Sequence, residues 1–238
     1  MTAHDHLSDA GEFRLVSADG ARVLAYRAVP RRPTGAGVVV LPDVRGAHEF
    51  YRGLARRFAG QGIAALVVDH WARLAWNDDR SDDFDGLSYV SRLDWAAARD
   101  DIRAGVDLLL SGSLGPVSTV FALGFSLGGA MALGQAALEP RLRGAIGCYA
   151  RPAECRELIP RMSGPLLVIG AGDDFFTTVE DNLAFDRELT LAGVEHEFHL
   201  YPDAPHSFVD GAIPEQADNA ADAWQRVVAF VREHSRES

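Results

Sequence analysis

Three short stretches carry residue types that could together move an acyl group. In Gly124-Phe125-Ser126-Leu127-Gly128-Gly129 a serine sits in a G-x-S-x-G pattern, between an apolar run and a run of small helix-forming residues. A turn that tight has no room for side chains at its flanks, and the glycines remove them. The pattern pushes the Ser126 hydroxyl outward as a nucleophile and leaves the Leu127 N–H at a helix N-terminus, where it suits an oxyanion. A hydroxyl needs a base. Tyr201-Pro202-Asp203-Ala204-Pro205-His206-Ser207-Phe208 places His206 in a proline-broken loop after an apolar run. The other histidines fit less well: His4 and His6 lie in a polar stretch, His48 borders a helix, and His70 ends a strand. His196 and His199 fall inside a strand, and His234 near the end of the chain. The imidazole needs a carboxylate to orient it, and Val168-Ile169-Gly170-Ala171-Gly172-Asp173-Asp174-Phe175 offers two, Asp173 and Asp174. A Ser–His–Asp set performs nucleophilic acyl transfer, with the histidine acting first as base and then as acid.

Such residues work only if rigid elements bring them together. The chain opens with a hairpin pattern, residues 12–16 and 22–29 around the Asp19-Gly20 turn. Residues 37–41 are continuously apolar, as expected of a strand buried on both faces. From there helices and strands alternate: helix 50–60, strand 63–68, helix 93–110, strand 117–123, helix 127–138, strand 142–149 and strand 165–169. Thr177-Thr178-Val179-Glu180 reads as a capping box that starts a helix ending near Gly193. Residues 196–201 form the last strand, and Trp224, Val227, Val228 and Val231 mark one face of a closing helix. The pattern predicts an α/β fold: a mostly parallel central sheet with helices on both faces and an N-terminal antiparallel hairpin. Ligands in such sheets sit beyond the carboxyl ends of the strands, where all three candidate residues fall. One domain is expected over 1–238, with a flexible tail at 1–11. A long acidic loop at 71–92 is expected to lie over the site, and 151–164 is too short for a lid domain. The loop after the first parallel strand, Leu41-Pro42-Asp43-Val44-Arg45-Gly46, ends at the same edge, so the Val44 N–H is the candidate second oxyanion donor.

Composition narrows the partners. The 238 residues carry a net charge of −11, a field that repels nucleic acid and anionic membrane surfaces. Two cysteines, Cys148 and Cys155, do not make a disulfide framework. The polar N-terminus has no signal-peptide pattern, and no apolar run reaches a membrane span, so a cytoplasmic monomer or homodimer acting on a small molecule is expected. No cofactor is implied. Gly170-Ala171-Gly172 lacks the third glycine of a dinucleotide fingerprint. The aspartates at 78, 79, 82, 83 and 85 lack calcium-loop spacing, and no histidine pair has zinc-ligand spacing. Arg45, Arg73 and Arg80 are candidates to hold an anionic substrate, with Asp43 beside them and Tyr149 lining the pocket.

The stretches around Ser126, Asp173 and His206, with Pro42-Asp43-Val44-Arg45-Gly46 and Asp69-His70-Trp71-Ala72-Arg73, resemble the dienelactone hydrolase family of the α/β-hydrolase superfamily. The resemblance runs from about Phe13 to Phe230. It implies that the acid is the Asp of a G-x-x-D turn, Asp173 here, and that His206 belongs to Y-x-x-A-x-H-x-F, matched in full. It also implies that the residue after the E-x-x-G acid, Val44 here, donates to the oxyanion. Three positions depart from the family: Ser126 replaces a cysteine nucleophile, Asp43 a glutamate, and Asp210 the arginine four residues after the histidine. The implied activity is hydrolysis of a carboxylic ester or lactone through an acyl-enzyme on Ser126. Thioester or amide hydrolysis, acyl transfer by the same triad, and a non-catalytic ligand-binding role are the rivals.

Overall fold

The structure, a computed structural model, describes residues 7–211 and 213–235. Among the described residues, eight strands form a mostly parallel sheet in the order β1-β2-β4-β3-β5-β6-β7-β8. The contacts group into two compact units, Met1–Phe121 and Ala122–Ser238.

In the first unit, β1 (Leu7–Val16) and β2 (Arg22–Pro30) form the expected antiparallel hairpin, with Gly20 at φ +84° in its turn. The hairpin corrects the flexible tail proposed for 1–11: residues 7–11 belong to β1, and Asp9 pairs with Val29. Residues 8–10 are polar or small and exposed, which in sequence reads as a tail, but an edge strand is held by its backbone and leaves such side chains in solvent. The rest of the proposed tail, with His4 and His6 and the polar N-terminus, lies outside the described residues. Strands β3 (Ala36–Leu41) and β4 (Ala64–Val68) are parallel and buried at every position, so both faces are covered. Helix α1 (Glu49–Gly60) packs on β2 and β4, and α2 (Trp95–Leu110) on β3 and β4.

Residues 71–92 are neither loose nor fully solvated. Trp71 is fully buried and its Nε1–H donates to the Asp43 carbonyl at 3.2 Å. A Cβ on Gly86 would lie 1.6 Å from the Val44 oxygen, so only glycine allows that approach. The segment ends in a 3-10 turn, Gly86–Arg92, capped by Asp85.

In the second unit, β5 (Thr119–Phe125, beginning at the end of the first) leads into α3 (Leu127–Leu138), which packs on β6 (Leu142–Cys148). Strands β7 (Leu166–Asp173) and β8 (His196–Pro205) are parallel, and α4 (Val179–Leu191) and α5 (Ala217–His234) complete the unit. Both strands outrun their apolar cores, and Asp173 still pairs with Pro205. The capping box lies one residue later than the sequence suggested: the Thr178 hydroxyl accepts the Asp181 N–H, while Thr177 is buried.

Candidate active site

The second unit brings Ser126, His206 and a carboxylate into one hydrogen-bonded line. Ser126 stands between β5 and α3 with φ 55° and ψ −118°, a conformation costly for any residue with a side chain. The turn holds it there, since the Ser126 N–H donates to the Cys148 carbonyl at 3.0 Å. A Cβ on Gly124 would lie 1.8 Å from the Gly128 oxygen, which is the physical reason for a glycine two residues before Ser126. Leu127 is the first residue of α3, so its N–H has no acceptor within the helix and remains available at the positive end of the dipole.

His206 follows β8 directly and is fixed at both ends. Its Nδ1 lies 2.7 Å from Asp174 Oδ2 and its Nε2 lies 2.9 Å from Ser126 Oγ. A carboxylate only accepts, so Nδ1 carries the proton and Nε2 presents its lone pair to the serine hydroxyl. The Asp174 side chain is 1% exposed and the imidazole 9%, so water barely competes for either bond.

The carboxylate is Asp174, which corrects the expectation of Asp173. Asp173 is the last residue of β7, still in register with Pro205, and its side chain is exposed. Side chains alternate along a strand, so a shift of one residue turns a carboxylate to the opposite face. Asp174, one step past the strand end, falls on the histidine side, and its second oxygen accepts the Phe176 N–H at 2.8 Å. The sequence offered both aspartates but not the position of the strand end that separates them.

Around the imidazole is a ring of aromatics. Tyr149, at φ 37°, sets its ring edge-on to His206 at 4.9 Å and also faces Phe125 and Phe208. At 1% exposure it packs against His206 and does not line an open pocket. Phe175 and Phe176, to which the sequence reading gave no role, stand 5.9 and 4.8 Å from the imidazole. The available signal was two adjacent phenylalanines in a polar turn with neither strand nor helix period. Cys148 and Cys155 are buried, and burial pushes both thiols up, Cys155 to about 12, so neither offers a thiolate.

The remaining candidates lie in the first unit, in a tight ionic framework. Asp43 is buried; its Oδ1 accepts the Arg45 N–H, and its carboxylate pairs with the Arg45 guanidinium at 2.7 Å. Burial opposes the charge on Arg45, but Tyr51 and Asp43 outweigh it and raise its pKa. Val44 sits in this turn, which Gly46 closes at φ +63° by donating to the Asp43 carbonyl. Arg73 is a poor anchor for a substrate anion, because it already pairs with Asp101 and Asp19, each at 2.7 Å. The hydrogen bond from Arg73 holds the Asp19 carboxyl down at about 2. Arg80 is fully buried on Asp69 at 2.7 Å and lies over the Phe84 ring, so it is framework as well. Among the described residues, no helix is long and apolar enough to cross a membrane.

The chain is similar to known hydrolases. The carboxymethylenebutenolidase of Rhodococcus opacus is 32% identical over 212 residues, covering 83% of this chain and 81% of its own. A dienelactone hydrolase-like promiscuous phosphotriesterase from metagenomic libraries superposes with a TM-score of 0.78 at 25% identity, over 94% of this chain and 98% of its own. The esterase of Pyrobaculum calidifontis shares the fold, with a TM-score of 0.71 at 16% identity over 98% of this chain and 88% of its own. The model of the dienelactone hydrolase family matches residues 23–235, and the chain belongs to that family.

Proposed function

We propose that this protein hydrolyses a carboxylic ester or lactone of a small molecule, with Ser126 as nucleophile, His206 as general base and acid, and Asp174 as the group that orients the imidazole. The observation that carries this reading is the unbroken line Asp174–His206–Ser126 at 2.7 and 2.9 Å, ending on a serine in a strained elbow. Family membership supports the reaction class.

His206 takes the hydroxyl proton through Nε2 as Ser126 Oγ attacks the carbonyl carbon, and the buried Asp174 carboxylate stabilises the imidazolium that forms. The Leu127 N–H donates to the oxyanion, and the family resemblance assigns the second donor to the Val44 N–H. A preorganised donor of this kind is worth about 10²–10³ in rate. His206 then returns the proton to the leaving oxygen, and water repeats the sequence in reverse to free the acid.

The test is hydrolysis of short p-nitrophenyl esters by the native protein and by Ser126→Ala, both checked for folding by circular dichroism. Turnover should fall by about 10⁴–10⁶ in the variant. Equal rates in the two proteins, or no turnover of esters, lactones or thioesters by either, would sink the catalytic reading.

A further inference from the structure

Phe175 and Phe176 are unusually placed. They are 81% and 48% exposed, large apolar side chains left in solvent one and two residues after the acid of the triad. Their rings stand 4.1 Å apart at 38°, and both pack on the His206 imidazole, Phe176 edge-on. They are also held in place. Asp174 accepts from His206 with one oxygen and from the Phe176 N–H with the other, so a single carboxylate orients the base and the turn bearing the rings. Exposed aromatic surface of this kind, fixed beside reacting groups, marks a binding surface.

Resting on the triad reading above, we propose that the Phe175–Phe176 pair is a shelf for the leaving group, and that the preferred substrates are esters of neutral aromatic alcohols, such as arylmethanols. The position on the leaving side follows from the chemistry. His206 Nε2 hands its proton to the departing oxygen, so whatever that oxygen carries passes beside the imidazole, against which both rings pack. A ring set edge-on or offset against a phenylalanine gains from the quadrupole as well as from burial, whereas a saturated ring gains only burial. The preference for a neutral group follows from the charges nearby. Arg151, whose guanidinium lies 5.9 Å from the Phe176 centroid, pairs with Glu154 at 3.3 Å. Glu154 already matches the Arg151 charge, so the guanidinium offers little to a carboxylate on the alcohol. In the step proposed, water adds across the ester, the acyl–oxygen bond breaks, and the products are a carboxylic acid and the aromatic alcohol.

The experiment compares benzyl acetate with cyclohexylmethyl acetate, two alcohols of similar size that differ in aromaticity, on the native protein and on the double variant Phe175→Leu, Phe176→Leu. Leucine keeps the site apolar, and both positions are exposed, so circular dichroism and the melting temperature should not move. The native protein should favour the benzyl ester by roughly tenfold in kcat/KM, carried mostly by KM, and the variant should lose the preference. An equal preference in both proteins, or none in the native one, overturns the shelf. So does a change confined to a series varying the acyl group, benzoyl against cyclohexanecarbonyl. Activity toward p-nitrophenyl acetate separates failure of the shelf from failure of the triad. If it depends on Ser126 while neither alcohol's ester is cleaved, the shelf alone fails; if it does not depend on Ser126, the triad reading fails and takes the shelf with it.

Discussion

Two histidines follow strands in this molecule, one in each unit, and they end differently. His206, after β8, is engaged at both nitrogens. His70, two residues past β4, is 3% exposed, and neither of its nitrogens has a hydrogen-bond partner among the described residues; its ring lies 4.5 Å from that of Trp71. Each has an aspartate close by. Asp174 gives an oxygen to the imidazole, whereas Asp69 gives its oxygens to Arg80, the Ala47 N–H and the Trp71 N–H. What separates the histidine proposed as the base from one used as packing is therefore where the neighbouring carboxylate's lone pairs go. Carboxylates neutralise arginines in both units, Asp43 on Arg45 in the first and Glu139 on Arg141 in the second, while Asp174 faces an imidazole.

The adjacent aspartates of the second unit carry the largest expected effect. Asp174→Asn should lower kcat on a p-nitrophenyl ester by about 10³–10⁴, because the amide favours the wrong tautomer of His206 while leaving the packing intact. Asp173→Asn should leave kcat within a few-fold. A large loss on Asp173→Asn with little change on Asp174→Asn would return the acid to the last residue of β7.

That one-residue distinction marks the limit of what the sequence makes legible. Apolar runs and glycine turns fix the order of elements, because burial on both faces leaves β3 and β4 no other composition. The elbow and the loop histidine are equally readable, since Gly124 and Ser126 each answer a steric demand local to the chain. Strand ends are set instead by pairing with a partner, as Asp173 with Pro205 and Asp9 with Val29, and polar residues continue a ladder without leaving a hydrophobic trace. The arginines escape reading for a similar reason. Arg73 and Arg80 find carboxylates 28 and 11 residues away, distances at which sequence spacing carries no geometry.

The ionic framework of the first unit should reveal itself in stability rather than turnover. Arg80→Met leaves the fully buried Asp69 carboxylate without its cation, which should cost about 3–5 kcal/mol in urea unfolding. Adding Asp69→Asn removes the stranded charge and should recover much of that loss, because a neutral pair in a buried site costs less than a single ion. If the double variant is no more stable than Arg80→Met alone, the pair is not acting as a compensated buried charge.

The smallest expected effect isolates His70 through pH. Burial lowers its pKa to about 4; Asp69, Asp43 and Asp101 pull it back up, and Arg80 works with burial. An unfolded histidine titrates near 6.5, so between about 6.5 and about 4 the unfolded chain binds a proton that the native protein refuses. The neutral ring's contribution is fully present above about 6.5 and is lost as pH falls toward 4, by up to about 3 kcal/mol. His70→Leu should flatten the acid side of the stability curve measured by denaturant unfolding from pH 7.5 to 4.5. At pH 7.5 it should change stability by only about 1 kcal/mol, since no hydrogen bond to the ring is lost. The corresponding change at His206 would abolish turnover instead. An unaltered pH profile in His70→Leu would mean that the ring reaches a proton-accepting partner in solution, and the contrast between the two histidines would then be one of degree.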